Sequence, residues 1–174
     1  MMTDSEFELV LPKGEDVEDA MKAAARYLES RAGFIERADQ SALLYGNDNL
    51  VGRIAEFYAI RYFLSKDYLV SRPKSKSYKG VDLKVKKGKK ELLVSVKCIT
   101  SENKKMTTSE VTEPDGGFND SFLVVVVLIS KTREPAVIEV KGYDWSKDPR
   151  KKKTVNRKVC PQLSEHTYSI KDPR

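Results

Sequence analysis

One aspartate and one lysine draw attention because each interrupts an apolar, strand-like run. Asp82 lies in Gly80-Val81-Asp82-Leu83 and Lys97 in Leu92-Leu93-Val94-Ser95-Val96-Lys97. The lysine-rich stretch Lys86-Lys87-Gly88-Lys89-Lys90 reads as the turn that joins the two runs into a hairpin. A carboxylate and a lysine held close together are much of what metal-assisted phosphodiester hydrolysis needs. The attacking water must be positioned and partly deprotonated, the charge on the phosphorane oxygens neutralised, and the leaving oxygen stabilised. Carboxylates holding Mg²⁺ supply much of this, and a lysine orients the water or screens the charge. Mg²⁺ prefers oxygen ligands and retains several waters, so two or three carboxylates with a backbone carbonyl suffice. A cross-strand salt bridge is the plainer use of the same two residues.

These residues need a sheet to hold them. Val81, Leu83 and Val85 alternate with polar residues, and Glu91 to Ile99 is the partner strand. Alternation puts Leu92, Val94, Val96 and Cys98 on one face of it, and Ser95 and Lys97 on the other. Asp67 to Arg72 reads as a preceding strand, Ala136 to Lys141 as a later one. Phe122 to Ser130 is a continuous apolar run, as expected of a central strand covered on both faces. Thr167 to Ile170 reads as a last edge strand.

Helical spacing appears earlier in the chain. Val17, Ala20, Met21, Ala24 and Leu28 recur behind the candidate cap Asp16, and Gly33 interrupts the pattern. Phe34 to Leu44 reads as a second short helix. After the turn Gly46-Asn47-Asp48-Asn49, Leu50 to Leu64 is a helix apolar around much of its circumference, as expected for burial against a sheet. Arg53 and Glu56 share one face of it. The polar stretch Thr100 to Glu113 has room for a short helix near Ser109. Residues 1–14 read as an N-terminal arm or a loose strand, and 15–174 as one domain with a mixed α/β sheet.

In this order of parts the chain resembles the PD-(D/E)XK nuclease superfamily, over roughly Asn49 to Ile99. The resemblance rests on a helix with an embedded acid (Gly52-Arg53-Ile54-Ala55-Glu56), a strand ending in basic residues (Tyr68 to Arg72), Gly80-Val81-Asp82-Leu83, and Ser95-Val96-Lys97. It implies a restriction-endonuclease-like fold, a mixed central sheet flanked by helices. It implies that Asp82 binds Mg²⁺ or Mn²⁺, that Lys97 is the catalytic lysine, and that Glu56 is the helix acid near the metal. The carbonyl of Val96 would complete the ligands. Val81 replaces the motif's proline, and Ser95 replaces its second acid. In a subset of restriction endonucleases a glutamate about a dozen residues past the lysine makes good that loss. Glu110 stands at that distance here, with Glu102 and Glu113 as competitors. The remaining possibility is that Glu56 and Asp82 hold the metal alone.

Composition agrees with an anionic partner. The 174 residues carry a formal charge of +6, which favours nucleic acid. Arg72, Lys74, Lys76 and Lys79 precede Asp82, and Lys147, Arg150, Lys151, Lys152, Lys153, Arg157 and Lys158 cluster late. Both groups are candidates for phosphate contacts, which give salt-sensitive and largely sequence-independent affinity. The expected partner is DNA, and cutting a duplex is simplest for a homodimer. A catalytically inactive binding module and a structure-selective nuclease of the junction-resolving kind are the rivals.

Several classes are disfavoured. Two cysteines, Cys98 and Cys160, cannot build a thiolate zinc cluster or a disulfide framework. Cys98 reads as a buried core thiol. His166 is the only histidine and reads as structural, which argues against a histidine-based nuclease. No Walker-type phosphate loop is present. Tyr143 and Trp145 read as packing residues. Met1 to Leu11 lacks the features of a signal peptide, and no apolar run approaches the ~20 residues that span a bilayer. A cytoplasmic, intracellular protein is the expectation.

Overall fold

The computed structural model describes residues 7–10, 14–38, 50–74, 80–101, 103, 105–115, 117–130 and 134–165. Its elements are β1 (Phe7–Leu9), α1 (Gly14–Ala38), α2 (Leu50–Leu64), β2 (Leu69–Pro73), β3 (Leu83–Lys87), β4 (Lys90–Thr100), β5 (Phe122–Ile129), β6 (Ala136–Val140), a 3₁₀ turn (Trp145–Lys147) and α3 (Gln162–Glu165). The expected final strand at Thr167–Ile170, His166 and the turn at Gly46–Asn49 lie outside the described residues.

The six strands form one mixed sheet in sequential order. β1 to β4 are an antiparallel meander, β5 runs parallel to β4, and β6 returns antiparallel beside β5. Strand lengths are unequal in a way that matters. β3 pairs with β4 only from Leu83↔Val94 to Lys87↔Lys90, whereas β4 continues to Thr100 alongside β5. Among the described residues, the second half of β4 therefore has no strand on its β3 side.

α2 covers one face. Its residues Val51, Ala55, Ala59 and Phe63 recur every four positions and are all buried, the two alanines letting the helix lie close on the sheet. They pack with Val70, Leu83, Val85, Val94 and Val96 and with the odd-numbered β5 residues Leu123, Val125, Val127 and Ile129. Tyr62 Oη at the far end of α2 donates to Glu139 Oε1 of β6 at 2.7 Å. α1 joins the same layer through Tyr27 and Leu28. Gly33 does not end this helix, which runs unbroken to Ala38. A single glycine costs a helix interior only about 1 kcal/mol. The separate helix expected over Phe34–Leu44 is, for its first five residues, the end of α1. The rest of that span is outside the described residues.

The other face is covered largely without helices. The even-numbered β5 residues Phe122, Val124, Val126 and Leu128 meet Val111 of the β4–β5 crossover, together with Trp145, Val155, Val159, Cys160 and Leu163. All eight β5 side chains are buried, as the apolar run predicted. Among the described residues the long helices thus lie on one face of the sheet, and the 3₁₀ turn and the four-residue α3 accompany the irregular chain on the other. Trp145 is buried with Tyr143 edge-on to it at 4.6 Å between ring centroids, so both serve packing as expected. Cys160 is buried, but Cys98 is only half-buried at the edge of the core. Among the described residues no helix is long and apolar enough to cross a membrane.

Candidate functional site

The overhang of β4 creates the site. Beyond Val94 the edge that faces β3 is left to other groups, and Asp82, just before β3 begins, fills the first place. Its backbone N–H donates to Val94 O at 2.9 Å, continuing the ladder by one bond. Its side chain turns along the vacated edge, where Oδ2 accepts from the backbone N–H of Val96 at 2.7 Å and, weakly, from the Ser95 hydroxyl at 3.4 Å. The N–H and C=O of one strand residue point to the same edge, so the Val96 carbonyl faces the side that Asp82 occupies.

Gly80 holds this turn against the crossover. It has φ +74°, and a Cβ there would lie 2.5 Å from Thr112 O and 3.0 Å from Pro114 N. Only glycine allows both the left-handed backbone and this approach. The crossover is fixed in turn from its other side. Thr108 N–H donates to Val155 O at 3.2 Å, Val155 N–H to Thr108 Oγ1 at 3.0 Å, and Val111 N–H to Lys153 O at 2.6 Å. These strand-like ties replace the short helix expected near Ser109. Thr108 and Val111 are buried, and Ser109 and Glu110 between them are exposed.

Electrostatics bind the candidate residues together. Burial raises the Asp82 carboxyl above its ordinary range, against the opposing effects of the Val96 N–H, Lys97 and Ser95. Burial also raises Glu56, and the Asp82 charge raises it further, while Arg72 and Arg53 act the other way. Lys97 is lowered by burial, opposed by Asp82 and Glu110. Two half-buried carboxylates that repel each other, with a desolvated lysine beside them, form an environment that a cation would relax. The simple salt bridge between Asp82 and Lys97 is not what forms. Asp82 Oδ2 is engaged by β4, and Lys97 interacts with Asp82 and Glu110 at longer range.

Ser95 is fully buried beneath this pair. It steadies Asp82 and offers no carboxylate. Among the described residues no three His, Cys, Asp or Glu side chains converge to hold a metal ion. Asp82 and Glu56 are the acids that sense each other, and Glu110 reaches the group only through Lys97. The donor set near the β4 edge is therefore two carboxylates and the Val96 carbonyl. That fits a hard cation such as Mg²⁺, which takes one or two carboxylates and fills its remaining positions with water and substrate phosphate.

The basic residues divide into two kinds. Arg72 is exposed and within electrostatic reach of Glu56, and Lys74 is exposed beyond it. Lys76 and Lys79 lie outside the described residues. Arg150 is committed to Asp148, with Nε donating to Oδ1 at 2.9 Å, and to the Tyr143 hydroxyl at 3.2 Å. Lys153 donates to Trp145 O at 2.7 Å and stands over the Phe118 ring. These two hold the irregular C-terminal layer together. Lys151 and Lys152 are exposed, and the ties from Lys153 and Val155 to the crossover bring them to the side of the molecule that carries Glu110.

A cleft of about 290 Å³ runs along the free edge of β4, bounded by Val96, Lys97, Cys98 and Thr100, by Val51, Gly52 and Ala55 of α2, by Asn103 and Ser109, and by Arg31 of α1. Sequence reasoning missed Arg31. Its signal is the helical stripe Ala24, Leu28 and Arg31, which continues the packed face of α1. A larger concavity of about 490 Å³ lies at the opposite end of β4 and β5, between Phe118, Tyr143 and Glu139. Two of its acids are paired, Glu139 with Lys141 at 2.9 Å and Asp144 with Lys147 at 2.9 Å, and Asp120 also lines it. Comparison of the chain with family models, with curated proteins and with solved structures gives no match.

Proposed function

We propose that this protein is a divalent-metal-dependent endodeoxyribonuclease of the PD-(D/E)XK type. The observation that carries the proposal is the Asp82 carboxylate held by the Val96 N–H at 2.7 Å on the open edge of β4, with half-buried Glu56 and Lys97 within electrostatic reach of it. The order of elements is in keeping with a restriction-endonuclease-like fold: an acid-bearing helix, a three-stranded meander, then a strand parallel to its last member. Bound Mg²⁺ would polarise a phosphoryl oxygen and make its coordinated water a better nucleophile. Asp82, oriented by the Val96 N–H, would hold the metal together with Glu56 and the Val96 carbonyl. Lys97 orients the attacking water and screens charge on the phosphorane. Arg72, Lys74, Lys151 and Lys152 hold the DNA backbone. Products with 5′-phosphate ends follow from the family resemblance, and a homodimer would cut both strands. Preference for four-way junctions over linear duplex would move the reading to a junction-resolving enzyme.

One observation favours the rival, a catalytically inactive DNA-binding module. Ser95 is fully buried and no third acid converges on the pair among the described residues. Incubation with supercoiled plasmid in Mg²⁺ or Mn²⁺ separates the two. The enzyme nicks in a manner abolished by EDTA and by either Asp82→Ala or Lys97→Ala. Retention on DNA with no nicking in either metal would establish the module instead.

A further inference from the structure

We propose that the lysine-rich β3–β4 hairpin is a second contact for nucleic acid, its tip entering a groove of duplex DNA and its lysines meeting the phosphates on either side. This rests on the nucleic-acid reading above and uses nothing of the carboxylate site. The tip stands clear of the neighbouring strands. β3 pairs with β2 only as far as Leu69↔Lys86, and β4 first meets β5 at Leu93↔Phe122. Among the described residues, Lys87 to Leu92 therefore have no strand outside their own ribbon, which the two-residue turn Gly88–Lys89 closes. The larger concavity opens along its flank, since Lys90 and Leu92 line it. A major groove about 12 Å wide admits a two-stranded ribbon of this kind. A flat anionic surface would meet only its end.

The charges suit the same partner. Lys86, Lys87, Lys89 and Lys90 are all exposed. Alternation puts Lys87 and Lys90 on one face of the ribbon and Lys86 on the other, so both faces present ammonium groups. Lys87 and Lys90 stand directly opposite each other, a like-charge pair that weakens a hairpin and that a phosphate between them would relieve. Lys87 is engaged by the α2–β2 turn, donating to Lys66 O at 2.7 Å and meeting Asp67 at 3.7 Å. Glu91, opposite Lys86, is paired with Lys84 at 3.1 Å. Asp120 shares the concavity with Lys90. Among the described residues no hydrogen bond or ion pair engages the side chains of Lys86, Lys89 or Lys90. Lys90 precedes Lys97 by seven residues of β4, roughly 23 Å at about 3.3 Å per residue. The hairpin is thus a contact separate from the chemistry.

The test is binding, kept separate from cleavage. A fluorescein-labelled duplex of about two helical turns is titrated with the full chain in EDTA, by anisotropy, between about 50 and 200 mM salt. Glutamine replaces Lys86, Lys89 and Lys90 together. The slope of log K against log salt should become shallower by about 2.7, which is about 0.9 for each lost phosphate contact, and affinity at the lower salt should fall at least roughly ten-fold. Arginine at the same three positions should restore the slope. Lys22→Gln, on α1 and paired with Glu18 at 2.7 Å, should match wild type. The urea midpoint of the triple glutamine variant should not fall, because the opposed pair is gone. A single strand offers no groove, so there the variant should change the slope by less than half as much. An unchanged duplex slope overturns the proposal, as does a wild-type chain that does not bind the duplex, or an equal change on the single strand. Sedimentation with phosphatidylserine vesicles is scored alongside. Loss of vesicle binding with an unchanged duplex slope would make the hairpin a membrane contact instead. Plasmid nicking separates the two readings. Wild-type nicking with an unaltered slope in the variant would remove the hairpin contact and leave the nuclease. A shallower slope without nicking by wild type would keep the contact and remove the nuclease.

Discussion

Gly80→Ala probes the contact that places Asp82 against the crossover. The native backbone has φ +74° there, a region that costs a residue with a Cβ roughly 1–2 kcal/mol. The added methyl would lie 2.5 Å from Thr112 O, nearly an ångström inside ordinary contact, and the obstacle is backbone. Overpacking of this kind adds roughly 1–3 kcal/mol, and the stiffer unfolded chain returns about 0.4–1 kcal/mol. The net loss is roughly 2–4 kcal/mol. At roughly 2–4 °C per kcal/mol for a chain of this size, melting should fall by about 5–15 °C. Gly88 and Gly142 are internal controls, with φ +59° and +71° and nothing within 4 Å of a Cβ. Alanine there should cost about 1 kcal/mol or less, since only the backbone strain remains. Urea denaturation followed by circular dichroism at neutral pH measures all three. If Gly80→Ala is no worse than the controls, the crossover does not press on this turn, and the account of how Asp82 is held collapses.

Three further outcomes follow from the same site. Glu56 has a raised folded-state pKa, first from burial and then from Asp82. The folded state therefore binds the proton more tightly than the unfolded one, and ionised Glu56 weakens the metal-free fold above its folded pKa. Glu56→Gln should be more stable than wild type at pH 8, and the gain should fade as pH drops through that raised pKa toward the unfolded value near 4.3; a less stable variant at pH 8 would contradict this. Ser95→Glu places a charge at a fully buried position beside Asp82 and should lose roughly 3–5 kcal/mol in the absence of metal, read from the urea midpoint. A tolerated glutamate would mean that the position has room for the motif acid. Lys97→Met should lower the nicking rate by on the order of 10²–10³-fold with little change in the Mg²⁺ concentration needed; a large rise in that requirement would assign Lys97 to metal binding instead.

Much of the scaffold was legible because it obeys simple periodicity. Leu50 to Leu64, apolar around much of its circumference, announces a helix buried against a sheet, and α2 has those bounds. The unbroken run Phe122 to Ile129 announces a strand covered on both sides. Gly33 misled because a lone glycine is a weak signal, outweighed when the flanking stripe packs on a core. Ser109 misled because no local pattern records that Thr108 and Val111 bond to Val155 and Lys153, more than forty residues away. The same blindness affected the late basic segment. Arg150 and Lys153 look like their neighbours in sequence, yet they are spent on Asp148 and on the Trp145 carbonyl.

By itself the sequence determined the hairpin, the alternation that sets Ser95 and Lys97 on one face, and the presence of an acid in the helix before it. Those properties are local, fixed by residue type and by the two-residue and 3.6-residue periods of the backbone. Tertiary structure decided which acids meet. The difference in length between β3 and β4 opens an edge, and Asp82 turns into it. α2 lies close enough for Glu56 to feel that charge. The crossover, pinned between Gly80 and the C-terminal layer, carries Glu110 within range of Lys97 and no nearer to the acid pair. Distances between elements depend on how unequal strands and packed helices fit in space, and one-dimensional spacing does not encode them.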